Sequence, residues 1–494
     1  MNTTTPRVDP APGAASTVES DPVDELAPLI EARVGRPVDA LQVAAALEAA
    51  GIVDRTARDR YGYPDVFQLA EEVYARIDAQ AFAPEAPPAL GAGTGRAIRD
   101  LSHGLLYVLP AALLPALPPL VGAHPLMLAL VTASGLGWVW SAGSAWLAYR
   151  LLGRGLAGSA GRVLRGAALV GTASGAVSGG VIAVVAGGGA RPVAAAAGLL
   201  AFQMAAAIAL VYRREVWLTA AMVPGVAAGL AHLALGRPGA GMAAAIGCGS
   251  VLLALAMAVV FTSRRPPSDA GWSADRSEPP LSESLRPELG QLGAVVLYAG
   301  LSAAFLLQVD VRYFTGRLAL AVAAAPLIVG MGVVEWRTRR FHEQAGGLLH
   351  RTTDPKRFGI AVWGLLVAGL LGVLGTIGTI AAGLIYALDR TGRLDAAAAV
   401  LILAHVVVGG AYFLAFVVAG QSRYLRLSAV LAAALIIDVA AVRLWPGTAG
   451  PLREGVAMVA CGVLIQALLA LSLRRVLGQA WRYRGMPTLA QSRR

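Results

Sequence analysis

Long apolar stretches separated by short polar segments fill most of the chain after residue 100. Twelve of them are long enough to cross the roughly 30 Å hydrocarbon core of a bilayer as helices. They cover residues 102–122, 125–148, 163–187, 193–212, 217–236, 240–262, 290–309, 318–335, 358–387, 395–419, 426–445 and 454–473. Their many Gly and Ala residues favour close helix contacts in lipid. The pattern therefore predicts an all-α polytopic membrane protein.

Composition agrees with this prediction. Hydrophobic residues make up 56% of the chain, charged residues 14%, and the mean hydropathy is +0.63, whereas soluble domains carry about 25% charged residues. The sequence contains no phosphate-binding Gly-rich loop and no His-Glu-x-x-His helix, and no acidic cluster lies within a predicted span. His342 and His350 are neighbours of six cations and make a poor metal site. We therefore expect a protein that is not an enzyme and has no metal and no cofactor.

The distribution of cations predicts the orientation. Eighteen Arg and Lys residues lie in the loops that follow even-numbered spans, and eight lie in the opposite loops. Because cationic loops stay in the cytosol, both termini are predicted to be cytosolic. The single Lys among 41 cationic residues suggests a bacterial protein of the cytoplasmic (inner) membrane. The net charge of +11 then indicates contact with anionic lipid headgroups rather than with nucleic acid.

Landmarks repeat between the two halves of the apolar region. Arg213 lies 51 residues before Arg264, and Arg423 lies 51 residues before Arg474. The segment 235–241 recurs as 444–450, offset by 209 residues. Since each half holds six spans, both halves enter the bilayer from the same side, which is the parallel duplication of several transporter families. The predicted organisation is a disordered N-terminus (1–21), a helical cytosolic module (22–80), a linker (81–96), a first six-helix bundle (97–265), a cytosolic linker (266–287), a second six-helix bundle (288–476) and a basic cytosolic tail (477–494).

The N-terminal module shows ordinary helix signals. Asp39 with Gln42, and Asp65 with Gln68, have the spacing of helix caps. The helices that follow are expected to pack through apolar residues that include Leu41 and Phe67. About sixty residues bury little core, so the module is interpreted either as a docking site for a cytosolic protein or as a simple cap.

Ionisable groups inside the lipid region are costly and usually functional. The candidates for transport or coupling, all in the second half, are Asp438, His405, Asp310, Arg312 and Glu335. Asp438 and His405 lie at similar depths on neighbouring spans, which predicts a pair facing a central cavity. Alternatively, Asp310 with Arg312, and Glu335 with Arg337 or Arg339, form interfacial ion pairs, and His405 bonds a backbone carbonyl.

Two resemblances bear on function. The run Gly153–Arg162 resembles the loop between the second and third spans of the major facilitator superfamily, without its Asp-Arg core. The plan of residues 97–476, two six-helix bundles with a cytosolic linker, resembles the multidrug/oligosaccharidyl-lipid/polysaccharide exporter superfamily and its polysaccharide flippases. That resemblance implies an alternating-access exporter or flippase of a lipid or lipid-linked saccharide. Flippases of this group use cationic cavity residues for phosphates, whereas here no Arg lies deep in a predicted span.

Two other functions stay open, a non-transporting scaffold that recruits a partner through residues 22–80 and a facilitator-type solute transporter. A transporter needs a polar cleft between the bundles, whereas a scaffold packs that space with Leu and Ala. Because the first bundle is nearly free of charge, the cleft is expected to have an apolar wall from the first bundle and a polar wall from the second.

Overall fold

The computed structural model describes residues 21–34, 37, 39–82, 90–263, 279–313, 318–349, 352, 355–444, 450–474 and 476–479, which are helices and their connections without a strand. The chain divides into two compact units, residues 1–95 and residues 96–494. Most of the predicted disordered N-terminus, the middle of both linkers and most of the basic tail lie outside the described residues.

Four helices form the N-terminal module: α1 (Leu26–Val34), α2 (Ala40–Ala49), α3 (Asp54–Tyr61) and α4 (Val66–Phe82). Both predicted caps are confirmed, because the Gln42 amide donates to Asp39 over 2.9 Å and the Gln68 amide donates to Asp65 over 2.8 Å. The core contains, among others, Ile30, Val43, Leu47, Leu69, Val73 and Ile77. Leu41 and Phe67, which were expected to pack inside, are 67% and 53% exposed. Both side chains therefore lie on the side of their helix that faces away from this core.

A guanidinium fixes the start of the module to its last helix. Arg76 binds Asp21 and Asp24 over 2.7 Å each and Glu72 over 2.9 Å. The backbone N–H of Val23 and the Arg76 guanidinium together hold the pKa of the Asp21 carboxyl below its ordinary value. These ion pairs stabilise the module in addition to its small apolar core.

The first half of the larger unit begins with a broken helix. It contains α5 (Leu90–Val108), a 3-10 segment (Leu109–Ala116), α6 (Pro118–Val121), α7 (Ala123–Gly153), α8 (Ala157–Ala186), α9 (Arg191–Val211), α10 (Glu215–Leu235) and α11 (Ala240–Ser263). The predicted first span is interrupted because Pro110, Pro115 and Pro118 lack the N–H groups that would continue an α-helix.

The second half follows residue 279. It contains α12 (Leu281–Leu285), a 3-10 segment (Arg286–Glu288), α13 (Leu289–Tyr313), α14 (Leu318–Ala321), α15 (Ala325–Leu349), α16 (Pro355–Arg390), α17 (Ala396–Ala419), α18 (Tyr424–Leu444) and α19 (Pro451–Arg474). Eleven helical segments in the described chain are long and apolar enough to cross a membrane. With the broken first span, the prediction of about twelve spans in a multi-pass helical protein is confirmed.

The two halves share one packing plan. In the first half α7, α8 and α9 pack on one another, α9 packs on α11, and α11 packs on α10. In the second half α15, α16 and α17 pack on one another, α17 packs on α19, and α19 packs on α18. The 3-10 segment after α5 contacts α10 as α13 contacts α18. Because corresponding helices follow in the same order, the fold has the expected parallel arrangement of two six-helix bundles.

Two helix pairs are among the contacts that join the bundles in the described part of the chain. α7 packs against α13, where Gly143 lies opposite Val296 and Leu292. α5 meets α15 where Gly332 faces the carbonyl oxygens of Asp100 and Leu101, so closely that a Cβ at Gly332 would lie 2.6 Å from each oxygen. Glycine is required at this crossing because the two backbones touch.

Candidate functional site

A cavity of about 1130 Å³ lies within the first bundle and extends to the second. Its walls come from α5 and the segment after it, α7, α9 and α11, and from the facing sides of α13, α15 and α17. This size exceeds that of most small-molecule sites, which are about 300–1,000 Å³. The space is therefore large enough for a lipid-like molecule.

Most of the cavity wall is apolar. The segment after α5, together with α7, α9 and α11, supplies Leu113, Leu114, Leu117, Leu130, Ala194, Ala195, Ala197, Leu199, Ala244, Val251 and Leu255. The second bundle adds Leu306, Leu307, Leu327, Ile328 and Met331. The small side chains of α9 create the space, since alanine and glycine leave room where leucine would fill it.

One end of the cavity is charged. It lies at the arginine-rich end of the unit, defined by Arg150, Arg154, Arg213, Arg214, Arg337 and Arg339. His103 of α5 is 7% exposed and places its Nδ1 atom 2.6 Å from the Glu335 carboxylate of α15. Its Nε2 atom lies 3.5 Å from the Glu215 carboxylate of α10. The Tyr107 hydroxyl donates to Glu335 over 2.8 Å. We name His103, Glu215 and Glu335 the histidine cluster.

Further charges surround the histidine cluster. Arg339 of α15 forms an ion pair of 2.8 Å with the buried Asp100 of α5. Arg99 and Arg213 also line this end of the cavity. Neither has a carboxylate within ion-pair distance among the residues that the structure describes. Cationic groups are thus present for an anionic part of a ligand.

The middle of the cavity carries uncharged polar and aromatic groups. Trp138 of α7 stacks on Tyr412 of α17 with 5.9 Å between ring centroids, across the junction of the bundles. Gln203 and Thr172 line the cavity, and the oxygens Oε1 and Oγ1 of these side chains are buried without a hydrogen-bond partner in the described chain. Because these two oxygens are buried, and Gln203 Oε1 packs against Gly137, they do not face the open space of the cavity.

The residues expected to form the site fall in three places. Glu335 lines the cavity, and its carboxylate contacts His103 and Tyr107. The side chains of Asp310 and Arg312 lie outside the described part of the structure. Asp438 and His405 are fully buried within the second bundle and are not part of the cavity wall.

The surroundings of Asp438 and His405 are polar but enclosed. The Gln308 amide donates to the Asp438 carboxylate, the Cys461 thiol lies beside that carboxylate, and His405 Nδ1 lies 2.8 Å from the Leu401 carbonyl oxygen. The predicted coupling role of this pair stays a prediction. No group of three or more potential metal ligands occurs in the described residues.

Sequence reasoning missed His103, Glu215 and Asp100. Asp100 and His103 are three residues apart, which places them on one helix face, and this spacing was the available signal. Glu215 directly follows the pair Arg213–Arg214 and therefore looks like a loop residue. The expected apolar first-bundle wall is also wrong, because the first bundle supplies most of the polar groups. The polarity changes along the cavity rather than across it.

Comparisons with known proteins add little beyond architecture. No protein-family model matches the chain, and no curated protein matches it. A structure described as the inward-facing conformation of a multidrug resistance MATE family transporter of the MOP superfamily matches with a TM-score of 0.47 and 14% identity. The match covers 79% of this chain and 100% of that chain. By its description, the neighbour belongs to the superfamily that the sequence plan resembles.

Proposed function

We propose that this membrane protein exports or flips an amphipathic molecule by alternating access. The observation that carries the proposal is the cavity of about 1130 Å³, with a long apolar wall and a charged end, bounded by both bundles. A large apolar pocket with a few convergent polar groups is the usual form of a ligand site. A scaffold would instead have packed this space with side chains.

The lining groups favour a lipid-linked saccharide as substrate. An acyl or prenyl chain would lie against the leucines and alanines of the wall. Sugar hydroxyls would bond the part-exposed side chains of Ser134 and Ser141, and the part-exposed ring of Trp138 offers a face for a sugar. Arg99 and Arg213 would receive a phosphate or carboxylate. These cations lie at the cavity end, and not deep in a span.

Alternating access needs contacts between the bundles that form and break. At the arginine-rich end Arg150 binds Glu288 over 3.1 Å across the α7–α13 junction, and Arg339 binds Asp100 across the α5–α15 junction. These ion pairs join the two bundles at this end, and rocking of one bundle against the other would break them.

A reconstitution experiment with two glycine variants tests the proposal. Purified protein in vesicles should speed the crossing of a fluorescent polyprenyl-phosphate sugar, followed by dithionite quenching. Gly198 lines the cavity, and a Cβ built there meets no atom within 4 Å. Gly198→Trp should therefore fold, occupy the cavity and slow crossing about tenfold.

Gly249→Trp is the matched control, because Gly249 lies outside the cavity wall on the same half and a Cβ there also meets no atom within 4 Å. It should retain crossing within about twofold. Equal rates with and without wild-type protein would contradict the proposal. Equal losses in both variants would remove the cavity from the explanation.

A further inference from the structure

The histidine cluster joins three helices from both bundles. His103 of α5 and Glu215 of α10 belong to the first bundle, and Glu335 of α15 belongs to the second. The side chains of His103, Glu215 and Glu335 are 9%, 9% and 25% exposed. The cluster is thus largely shielded from water and lies across a junction that alternating access must open.

A neutral His103 ring between two ionised carboxylates has one N–H too few for the contacts in this cluster. A neutral imidazole has one N–H and one lone pair. Here both ring nitrogens face carboxylate oxygens, at 2.6 Å and 3.5 Å. One added proton makes the ring an imidazolium with an N–H facing each carboxylate, whereas its loss leaves a lone pair facing a carboxylate. Protonated, the three groups carry a net charge of −1, and deprotonated they carry −2.

We propose that the histidine cluster is the proton-binding site that couples proton transfer to opening of the bundles. With the proton bound, the imidazolium holds Glu335 of the second bundle against the first. When the proton leaves for water, two carboxylates repel across the junction, and separation of α5 from α15 lets water solvate them. The proposal deepens the proposed function, because it names a proton as the coupling ion of the same transporter.

The surrounding charges set the environment of this proton. The titratable and charged groups that line this end of the cavity with His103 are Arg99, Asp100 and Tyr107 on its own helix, Tyr149 on α7, Arg213 just before α10, Glu215 on α10, and Glu335 and Arg339 on α15. Asp100 and Arg339 neutralise each other through their ion pair. The two carboxylates of the cluster therefore remain the direct partners of the imidazole.

Distances between spin labels test the proposal without any substrate. Spin labels attached through Val216→Cys and Gln344→Cys, in a protein with Cys248→Ala and Cys461→Ala, report the separation of α10 from α15 at exposed positions. In lipid nanodiscs the long-distance population should grow as pH rises from 5 to 9. One exchangeable proton limits the change in the open-to-closed ratio to about tenfold per pH unit.

Two histidine variants sharpen the test. His103→Gln keeps a hydrogen bond to Glu335 but cannot carry the proton, so its distance distribution should not change with pH. His232→Gln is the control, because His232 contacts the Pro238 carbonyl oxygen over 2.9 Å and is not part of the cavity wall, and it should keep the wild-type response. A wild-type distribution that is constant from pH 5 to 9, or a His103→Gln response equal to wild type, would overturn the proposal.

A second variant and the transport assay separate the proton site from the proposed function. If His103→Gln does not fold, Glu215→Gln provides a second variant, and it should move the midpoint of the pH response because one carboxylate partner becomes neutral. Failure of the transport assay together with an intact pH response would reject the proposed function and leave the proton site standing. Transport without any pH response would reject the proton site alone.

Discussion

The central helices α9 and α17 occupy equivalent places in the two bundles but have different surroundings. Each packs against four of the long helices of its own half. In the apolar 18-residue segment of α17, 78% of the residues are buried, whereas in that of α9 the buried share is 56%. The second bundle is filled around its central helix, and the first is hollow.

Side-chain volume explains this difference. In the second bundle Phe305, Phe358 and Phe413 are among the largest fully buried side chains. Small residues of α9, among them Ala206, Ala207 and Gly198, lie in the cavity wall. A duplicated framework thus keeps its helix contacts while the size of a few side chains decides which copy can hold a ligand. The first bundle contributes most of the cavity wall, so under the proposed function it would hold most of the substrate.

The largest expected effect is on stability, from removing a phenylalanine in the filled bundle. Phe413 is fully buried, so Phe413→Ala should cost about 3–5 kcal/mol of unfolding free energy. Phe202 of α9 lines the existing cavity, so Phe202→Ala enlarges a space that is already present and should cost clearly less. Chemical unfolding in mixed micelles, followed by circular dichroism, measures both. Equal costs for the two variants would remove the distinction between a filled and a hollow bundle.

The two native cysteines provide the second test. Cys248 of α11 is exposed and lines the cavity, whereas Cys461 of α19, the equivalent helix, is buried. In purified protein a small maleimide should modify Cys248 at least about a hundredfold faster than Cys461, because only an accessible thiol reacts. Mass spectrometry of intact Cys248→Ala and Cys461→Ala variants separates the two rates. Similar rates would show that the second bundle is as open as the first.

Much of the framework could be predicted from the sequence, because span length and apolar content are local properties. The caps at Asp39 and Asp65 were likewise predictable, since each depends on a side chain and an amide three residues later. The break in the first span also has a local cause, in the prolines that follow Leu109. These features need no knowledge of distant residues.

The site was less predictable because it is assembled from distant segments. His103 meets Glu335 across 232 positions of sequence, and no local pattern specifies that contact. Intramembrane depth directed attention to Asp438 and His405, yet both lie in the filled bundle, outside the cavity wall. Of the expected site residues with described side chains, Glu335 is the one in that wall. Depth in the membrane therefore identified unusual residues but did not indicate which bundle contains the cavity.

The smallest expected effect concerns the crossing that joins the hollow bundle to the filled one. A Cβ at Gly332 would lie 2.6 Å from the carbonyl oxygens of Asp100 and Leu101, so Gly332→Ala forces α5 and α15 apart and should cost about 1–3 kcal/mol of unfolding free energy.

Two other glycines serve as controls, because at Gly364 and Gly198 a Cβ meets no atom within 4 Å. Gly364→Ala and Gly198→Ala should therefore stabilise the protein by about 0.5–1 kcal/mol, since alanine favours a helix interior over glycine. The opposite signs of the stability changes separate the effect of the helix contact from that of helix propensity. Thermal unfolding of the three variants in one detergent measures these changes. A stabilising Gly332→Ala would mean that the two bundles do not touch at this crossing. The histidine cluster would then lack the close α5–α15 junction on which its proposed coupling role depends.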